Sequence, residues 1–434
     1  MRGRLERYFE FKDLGTNWRT EILAGMTTFV TMAYIVFVNP SILHEAGMPF
    51  KAVVAATCFC AAFGSILMGA FARYPIALAP GMGLNAYFTY TVVKGLGVPW
   101  QTALGAVFIS GVAFVILTLF GIRQLIFEAI PHELYAAVAA GIGLFIAIIG
   151  LRNAGIIVPS SATMVTLGNL RDKSTLVALA GLLIIGALLA WRVPGAMLIG
   201  VLATAVISAA AGLTHLTPET YRISDIAATM GKLDIRAALK LGLAEIIFVF
   251  LFVDLFDNIG TLVGVGKKAG LFDNANRIPR IRRILLADAT STIAGSLAGT
   301  STVVSYIESA AGVVAGGRTG VTAIVTGLLF IAALFVAPLM GAVPAAATAP
   351  ALIVVGCLMM SQVSEIRWDD PVIALPSFLT LVGIPLTFSI ANGLAFGFIA
   401  YACLKLLKGE FRREQWLVYL LAALFVVRFL YLTT

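Results

Sequence analysis

The residues hardest to explain as packing lie in FVDLFDNIGT, residues 252–261, inside a long apolar run. Asp254 and Asp257 are three apart, so both project from one helical face, with Asn258 beside them and Thr261 a turn further on. A carboxylate in the apolar interior of a bilayer costs at least ~2.5–3.5 kcal/mol even on the lenient insertion scale. Two in one turn call for a use, although a structural pair bonded to neighbouring helices is the bland alternative. Glu308 follows the β-branched and polar stretch GTSTVVSY at 299–306, and Gly83 and Asn85 lie in APGMGLNAYF at 79–88. Acids and amides at membrane depth can bond the ring N–H groups of a polar solute, answer its acceptors, and take up a proton. Tyr306, Tyr87, Phe88, Phe252 and Phe256 offer flat faces for stacking, but aromatic residues in a membrane core mostly pack. Thr27, Thr28 and Thr31 share the first apolar run with Tyr34, and threonines there often bond their own backbone. Asp288 follows a basic loop and is expected to pair with Arg282 or Arg283.

The chain around these groups has 434 residues, 60% hydrophobic and 12% charged, against ~25% charged in an ordinary soluble domain. A mean hydropathy of +0.98 excludes a soluble enzyme, a disordered chain and a collagen-like fibre. At ~20 apolar residues per crossing, there is room for roughly 14 membrane helices, the size of a polytopic carrier or channel subunit. The 30 basic residues exceed the 22 acidic ones, giving a net charge of +8. They fall in short loops, where positive charge sets orientation, so no nucleic-acid partner is expected. Cys58, Cys60, Cys357 and Cys403 sit in apolar stretches and read as small packing residues. His44, His132 and His215 are scattered, and His132-Glu133 lacks the second His a zinc helix needs. Neither a metal nor a cofactor is expected.

Residues 1–20 carry Arg2, Arg4, Arg7, Lys12 and Arg19 with no early apolar region, which reads as a cytoplasmic arm rather than a cleavable signal. Its Leu5, Phe9 and Phe11 are expected to touch the membrane surface. Fifteen apolar runs follow between 21 and 432, most of the first fourteen with very short connections. The loop at 266–283 holds Lys267, Lys268, Arg277, Arg280, Arg282 and Arg283 against Asp273 alone, and alternation of spans puts it on the side of the arm. Two runs are not simple helices. Proline and paired glycines in APGMG should stop a helix inside the membrane, and GTSTVVS favours a short extended segment feeding a half-helix. Unwound backbone at that depth survives only where protein or a cavity satisfies it. Glu21 and Glu245 open corresponding runs 224 residues apart, and the same offset carries Gly81, Leu84 and Asn85 onto Ser305, Glu308 and Ser309. Broken segments at matching places in two seven-span halves point to inverted repeats. Glu308 then sits in the first turn of a half-helix, where the helix dipole favours negative charge.

The stretches TNWRTEILAGMTTFVTMAYIVFVNP, PIALAPGMGLNAYFTYTVV, FLFVDLFDNIGTLVGV and GTSTVVSYIESAAGVVAGGRTG resemble the AzgA-like purine permeases of the nucleobase/ascorbate transporter superfamily. The resemblance runs from about Gly15 to Arg428. It implies an all-α polytopic membrane protein with the uracil-transporter-like fold, fourteen spans in two inverted seven-span repeats, with short extended segments in spans 3 and 10. It further implies a core domain at 21–121 and 238–340 moving against a gate domain at 133–213 and 344–407, commonly as a homodimer. The run at 414–432 is one more than that fold needs. The implied substrate positions are Gly83, Asn85, Asp254, Asp257 and Glu308, and the implied activity is proton-coupled uptake of adenine, guanine or hypoxanthine.

The residues support this reading on their own terms. A neutral planar base presents N–H donors to Glu308 and Asp257, while Asn85 and half-helix amides answer its acceptors and Tyr306 or Phe252 stacks on it. The expected substrate-binding set is therefore Gly83, Asn85, Asp257, Tyr306 and Glu308. The expected proton-coupling set is Asp254 and Asp257, with Asp257 carrying the proton and Asp254 coupled to it. The third-span motif and Asp254 favour guanine or hypoxanthine over adenine. An anion exchanger or channel on the same scaffold is the nearest alternative, since half-helix N-termini attract anions, but three carboxylates would repel one. An intramembrane aspartyl protease is remote, because its Gly-x-Gly-Asp motif is absent. The expected partners are a purine, protons, membrane lipid and a second copy of the chain in the plasma (inner) membrane, with the N-terminus cytoplasmic. Gly393 and Gly397, four apart in NGLAFG, mark a candidate sliding seam between core and gate.

Overall fold

The computed structural model describes residues 2–121, 130–213, 222–240, 244–269, 278–336, 344–410 and 415–431. Among them, seven helical stretches are long and apolar enough to cross a membrane, and four shorter apolar helices accompany them. The protein is a multi-pass helical membrane protein. Residues 1, 122–129, 214–221, 241–243, 270–277, 337–343, 411–414 and 432–434 lie outside the described set, and with them Asp273, Arg277 and the middle of the loop expected at 266–283.

Helix α1 (Arg2–Tyr8) belongs to the N-terminal arm, and α2 (Trp18–Met32) opens on Asn17, whose side chain accepts from Thr20 N at 3.0 Å. The Thr31 hydroxyl bonds the carbonyls of Thr27 and Thr28, competing with the helix ladder. The helix breaks at Ala33–Tyr34 before α3 (Ile35–His44) continues the run. Next come α4 (Phe50–Leu67), β1 (Leu78–Pro80), α5 (Met82–Ala86), π-helical turns over Tyr87–Gly95, and α6 (Trp100–Leu119). Helix α7 (His132–Asn153) leads to an exposed hairpin of β2 (Ile157–Ser160) and β3 (Met164–Leu167), then α8 (Lys173–Ala190) and α9 (Ala196–Ala210). The second half runs α10 (Ala244–Ala269), α11 (Ile281–Ala298), β4 (Val303–Ser305), α12 (Ser309–Val314), α13 (Gly320–Val336), α14 (Ala345–Met359), α15 (Pro371–Leu386), α16 (Ile390–Leu407) and α17 (Trp416–Tyr431).

The two broken segments meet. Strands β1 and β4 pair antiparallel, Leu78 with Ser305, Ala79 with Val304 and Pro80 with Val303. Gly81 N donates to Thr302 O at 2.9 Å, and Tyr306 N to Ala77 O at 3.0 Å. The Ser65 hydroxyl bonds both the N–H and the C=O of Leu78, and Ser309 Oγ accepts from Ala77 N. Extended backbone in the protein's middle is thus satisfied without water, the condition for its survival there.

Around this crossing α4 packs on α13, α13 on α2, and α11 on α6, while α7 packs on α14, α15 and α16. Glycine marks one contact between the two groups: a Cβ at Gly83 on α5 would collide with Ile142 of α7. Gly393 and Gly397 do not mark such a contact. Their faces close on Ile384, Pro376 and Thr380 of α15, so they knit two neighbouring helices inside 344–407 rather than facing the core.

The N-terminal arm also differs from expectation. Phe9 and Phe11 are buried with Val321 against Trp18, Tyr8 donates to Ala70 O at 2.7 Å, and Glu10 pairs with Arg73 at 3.0 Å and Arg280 at 3.1 Å. Two arginines from different helices outcompete a lipid surface for this arm, and only Leu5 of the three expected contacts stays exposed. Helix α17 runs antiparallel along α16. Tyr401 bonds Gln415 at one end, and Arg428 bonds Asn392 at 2.9 Å and Glu245 of α10 at 2.6 Å at the other.

Candidate substrate site

Helix α10 brings its polar residues to the crossing. Asn258 is the hub: its amide nitrogen donates to Asp254 Oδ1 and Asp288 Oδ2, both at 2.8 Å, and its oxygen accepts from Ser305 N at 2.9 Å. One carboxamide thereby ties α10, α11 and β4 together, with all three side chains buried. Asp288 accepts from Asn258, and neither Arg282 nor Arg283 is turned to it. Arg282 donates to Leu119 O at 2.9 Å, and Arg283 lies over the Phe71 ring.

Asp257 points another way. Its Oδ2 lies 3.7 Å from where a Cβ on Gly81 would stand, and that Cβ would strike Val304 at 2.9 Å, so glycine lets the end of β1 close on β4 beside the acid. Glu308 caps α12 on the far side of the crossing, and its Oε1 accepts from the Tyr34 hydroxyl at 2.7 Å. The charges that act on Asp257 through space are those of Asp288 and Glu308; Asp254 is turned toward Asn258 instead. Asp257, Glu308, Tyr34 and Gly81 thus converge where the helix of span 1 breaks and the two strands cross.

The other expected residues are placed differently. Asn85 is fully buried, and its nitrogen donates to Asn39 Oδ1. Gly83 faces Ile142, and the Tyr306 hydroxyl is spent on Pro80 O, bracing the strand pair. Tyr34, Asn39, Gly81, Asn258 and Asp288 were not singled out as site residues by spacing. Their signal was polarity or small size within apolar runs, most plainly Asn39-Pro40 in the first.

A cavity of about 380 Å³ opens at the C-terminal end of α3, lined by Glu45, Tyr90, Lys94, Asn153 and Phe388 among others. Glu45 there accepts from Tyr90, Lys94 and, across from α7, Asn153 at 3.3 Å.

Crossed broken segments with buried acids beside the crossing, in a multi-pass helical body, define a membrane transporter and not an enzyme. Residues 19–426 match the model of a permease family (Xan_ur_permease), and the chain belongs to that family. It is 44% identical to the adenine permease AdeP of Escherichia coli, over 99% of this chain and 97% of that protein. It is also 44% identical to the guanine/hypoxanthine permease PbuG of Bacillus subtilis, over 99% of this chain and 100% of that protein. In structure it is similar to the transmembrane domain of the cyanobacterial bicarbonate transporter BicA, with a TM-score of 0.66 at 14% identity over 89% of this chain and 97% of that one.

Proposed function

We propose that the protein takes up purine nucleobases together with protons by alternating access. The observation that carries this reading is the convergence of Asp257 and the Tyr34-bonded Glu308 on the strand crossing. Half-buried acceptors there suit the ring N–H donors of a neutral, planar base, whereas they would repel an anion. Relatives named for adenine and for guanine or hypoxanthine at equal identity support the purine class and leave the choice of base to local contacts. Glu308 is the permanent acceptor and Asp257 the group that takes and gives the proton, while Asp254 helps as part of the Asn258 network.

In this reading fourteen spans form two inverted repeats, with β1–α5 and β4–α12 as the broken segments. A core at 21–121 and 238–340 carries the site past a gate at 133–213 and 344–407. The protein works in the inner membrane among lipid, with its N-terminal arm cytoplasmic and a second copy at the gate. The test is uptake into proteoliposomes. Labelled hypoxanthine or adenine should enter with protons, guanine should compete strongly and uracil weakly. Uracil competing best would remove the purine assignment, and sulfate uptake without purine uptake would favour an anion carrier.

A further inference from the structure

The direction of each hydrogen bond behind Asn85 is fixed by a backbone carbonyl two residues away in the chain of contacts. Thr57 Oγ1 lies 2.6 Å from Val53 O, so its single proton is committed there and its oxygen can only accept from a further partner. Asn39 must therefore turn its amide nitrogen toward Thr57, at 2.7 Å, with Thr300 Oγ1 also within reach at 3.1 Å. That leaves Asn39 Oδ1 facing Asn85, which must answer with its own nitrogen. Reversing Asn39 would set its oxygen against the Thr57 lone pairs, and its amide nitrogen against the Asn85 N–H unless Asn85 reversed as well. The Asn85 oxygen is consequently left over: it is buried and has no hydrogen-bond partner among the described residues. A buried acceptor without a donor is costly, and this one stands one helical turn beyond Gly81, whose carbonyl accepts from Asn85 N at 2.9 Å.

We infer that Thr57 and Asn39 are positioning residues that hold the Asn85 carboxamide with its oxygen toward the substrate, so that this position demands an N–H on the bound base. The inference rests on the purine reading above and deepens it. Amino- and oxopurines exchange donor for acceptor along the edge of the six-membered ring: adenine has an amine at C6 and a bare N1, hypoxanthine a carbonyl at C6 and an N1–H. An amide of fixed direction discriminates between them far better than pocket shape does, because the wrong base leaves buried polar groups unpaired.

Thr57→Val keeps the side chain's shape and removes the oxygen that sets the direction. The Thr300 hydroxyl, whose proton is not committed by the contacts above, can then donate to a reversed Asn39, and Asn85 turns its nitrogen to the substrate. The experiment measures binding of adenine and hypoxanthine to purified wild type and variants. Thr57→Val should shift the ratio of the two affinities at least tenfold toward the base that wild type disfavours, while Thr57→Ser, which keeps the hydroxyl, should retain the wild-type ratio. Asn39→Leu, which frees Asn85 to turn either way, should bring the ratio toward one and serves if Thr57→Val does not fold. A ratio unchanged in Thr57→Val, or in Asn39→Leu when only that variant folds, overturns the relay while leaving purine binding intact. Wild type that binds neither base overturns the purine reading and this inference with it.

Discussion

Asp257 and Glu308 are both acids beside the same strand crossing, yet their surroundings assign them different work. Glu308 has a helix N-terminus behind it and a hydroxyl on its oxygen, whereas Asp257 sits within α10, facing Gly81, with Asp288 and Glu308 as its electrostatic neighbours. Asp257→Asn should therefore still bind purine, with a flattened pH dependence, and should fail to accumulate it. Glu308→Gln should lose affinity by roughly 10–150-fold, the range of a hydrogen bond to a charged group. Binding titrated against pH in both variants checks this; a wild-type pH profile in Asp257→Asn would reverse the roles. Both acids stand out in the sequence as polarity within apolar runs, and the structure brings both to the strand crossing. Asp288 was misread because five residues separate it from Arg283 in sequence, whereas at ~100° per residue that step turns it about 140° around the helix, away from the loop and into the core.

At the scale of elements, the breaks at Leu78–Pro80 and Val303–Ser305 could be read from proline, glycine and β-branched residues, and the structure pairs them. What spacing could not supply was their register, which depends on how two segments approach in three dimensions. The same limit explains Gly393 and Gly397: an i, i+4 pair of small residues announces a close neighbour but not which one. Gly83 is one glycine that meets the opposite group of helices, at Ile142, as Gly195 does at Val30. Gly83→Ala should cut uptake at least tenfold, and Ile142→Ala, by removing the atoms the new methyl strikes, should restore part of it. Absence of rescue would instead assign Gly83 a direct contact with the base. Uptake by the two single variants and the double variant decides the matter.

At the scale of the molecule, α17 is long enough, at ~24 Å for its 16 residues, to run most of the way across a hydrocarbon layer. Since it lies along α16 at both ends, it is expected to cross with that helix. In a background with the exposed Cys357 and Cys403 replaced, cysteines introduced at Glu410 and at Leu430 should react with an impermeant maleimide from opposite faces. Labelling of both from one face would place α17 along the surface. The helix also grips two helices at once, since Arg428 reaches Glu245 of α10 and Asn392 of α16. Hydropathy announced an extra segment; only packing shows what it holds. The arm at the other terminus was misjudged for a related reason, because aromatic residues among arginines suit a lipid surface and a protein groove equally well until the groove exists.

The strand pair sets a timetable for biosynthesis. Tyr306 reaches back 226 residues to Pro80, so a ribosome adding ~5–20 residues per second leaves β1 waiting roughly 10–45 s for β4. Through that interval its amides must be covered by the translocation machinery or by transient helix, since hydrocarbon offers them nothing. Neither half of the chain is then a viable membrane protein alone. Expressed as two fragments divided in the 214–237 loop, each should be degraded when made singly and both should persist when made together. Steady-state amounts of the tagged fragments check this, and a long-lived solitary first half would show that β1 finds another way to be satisfied.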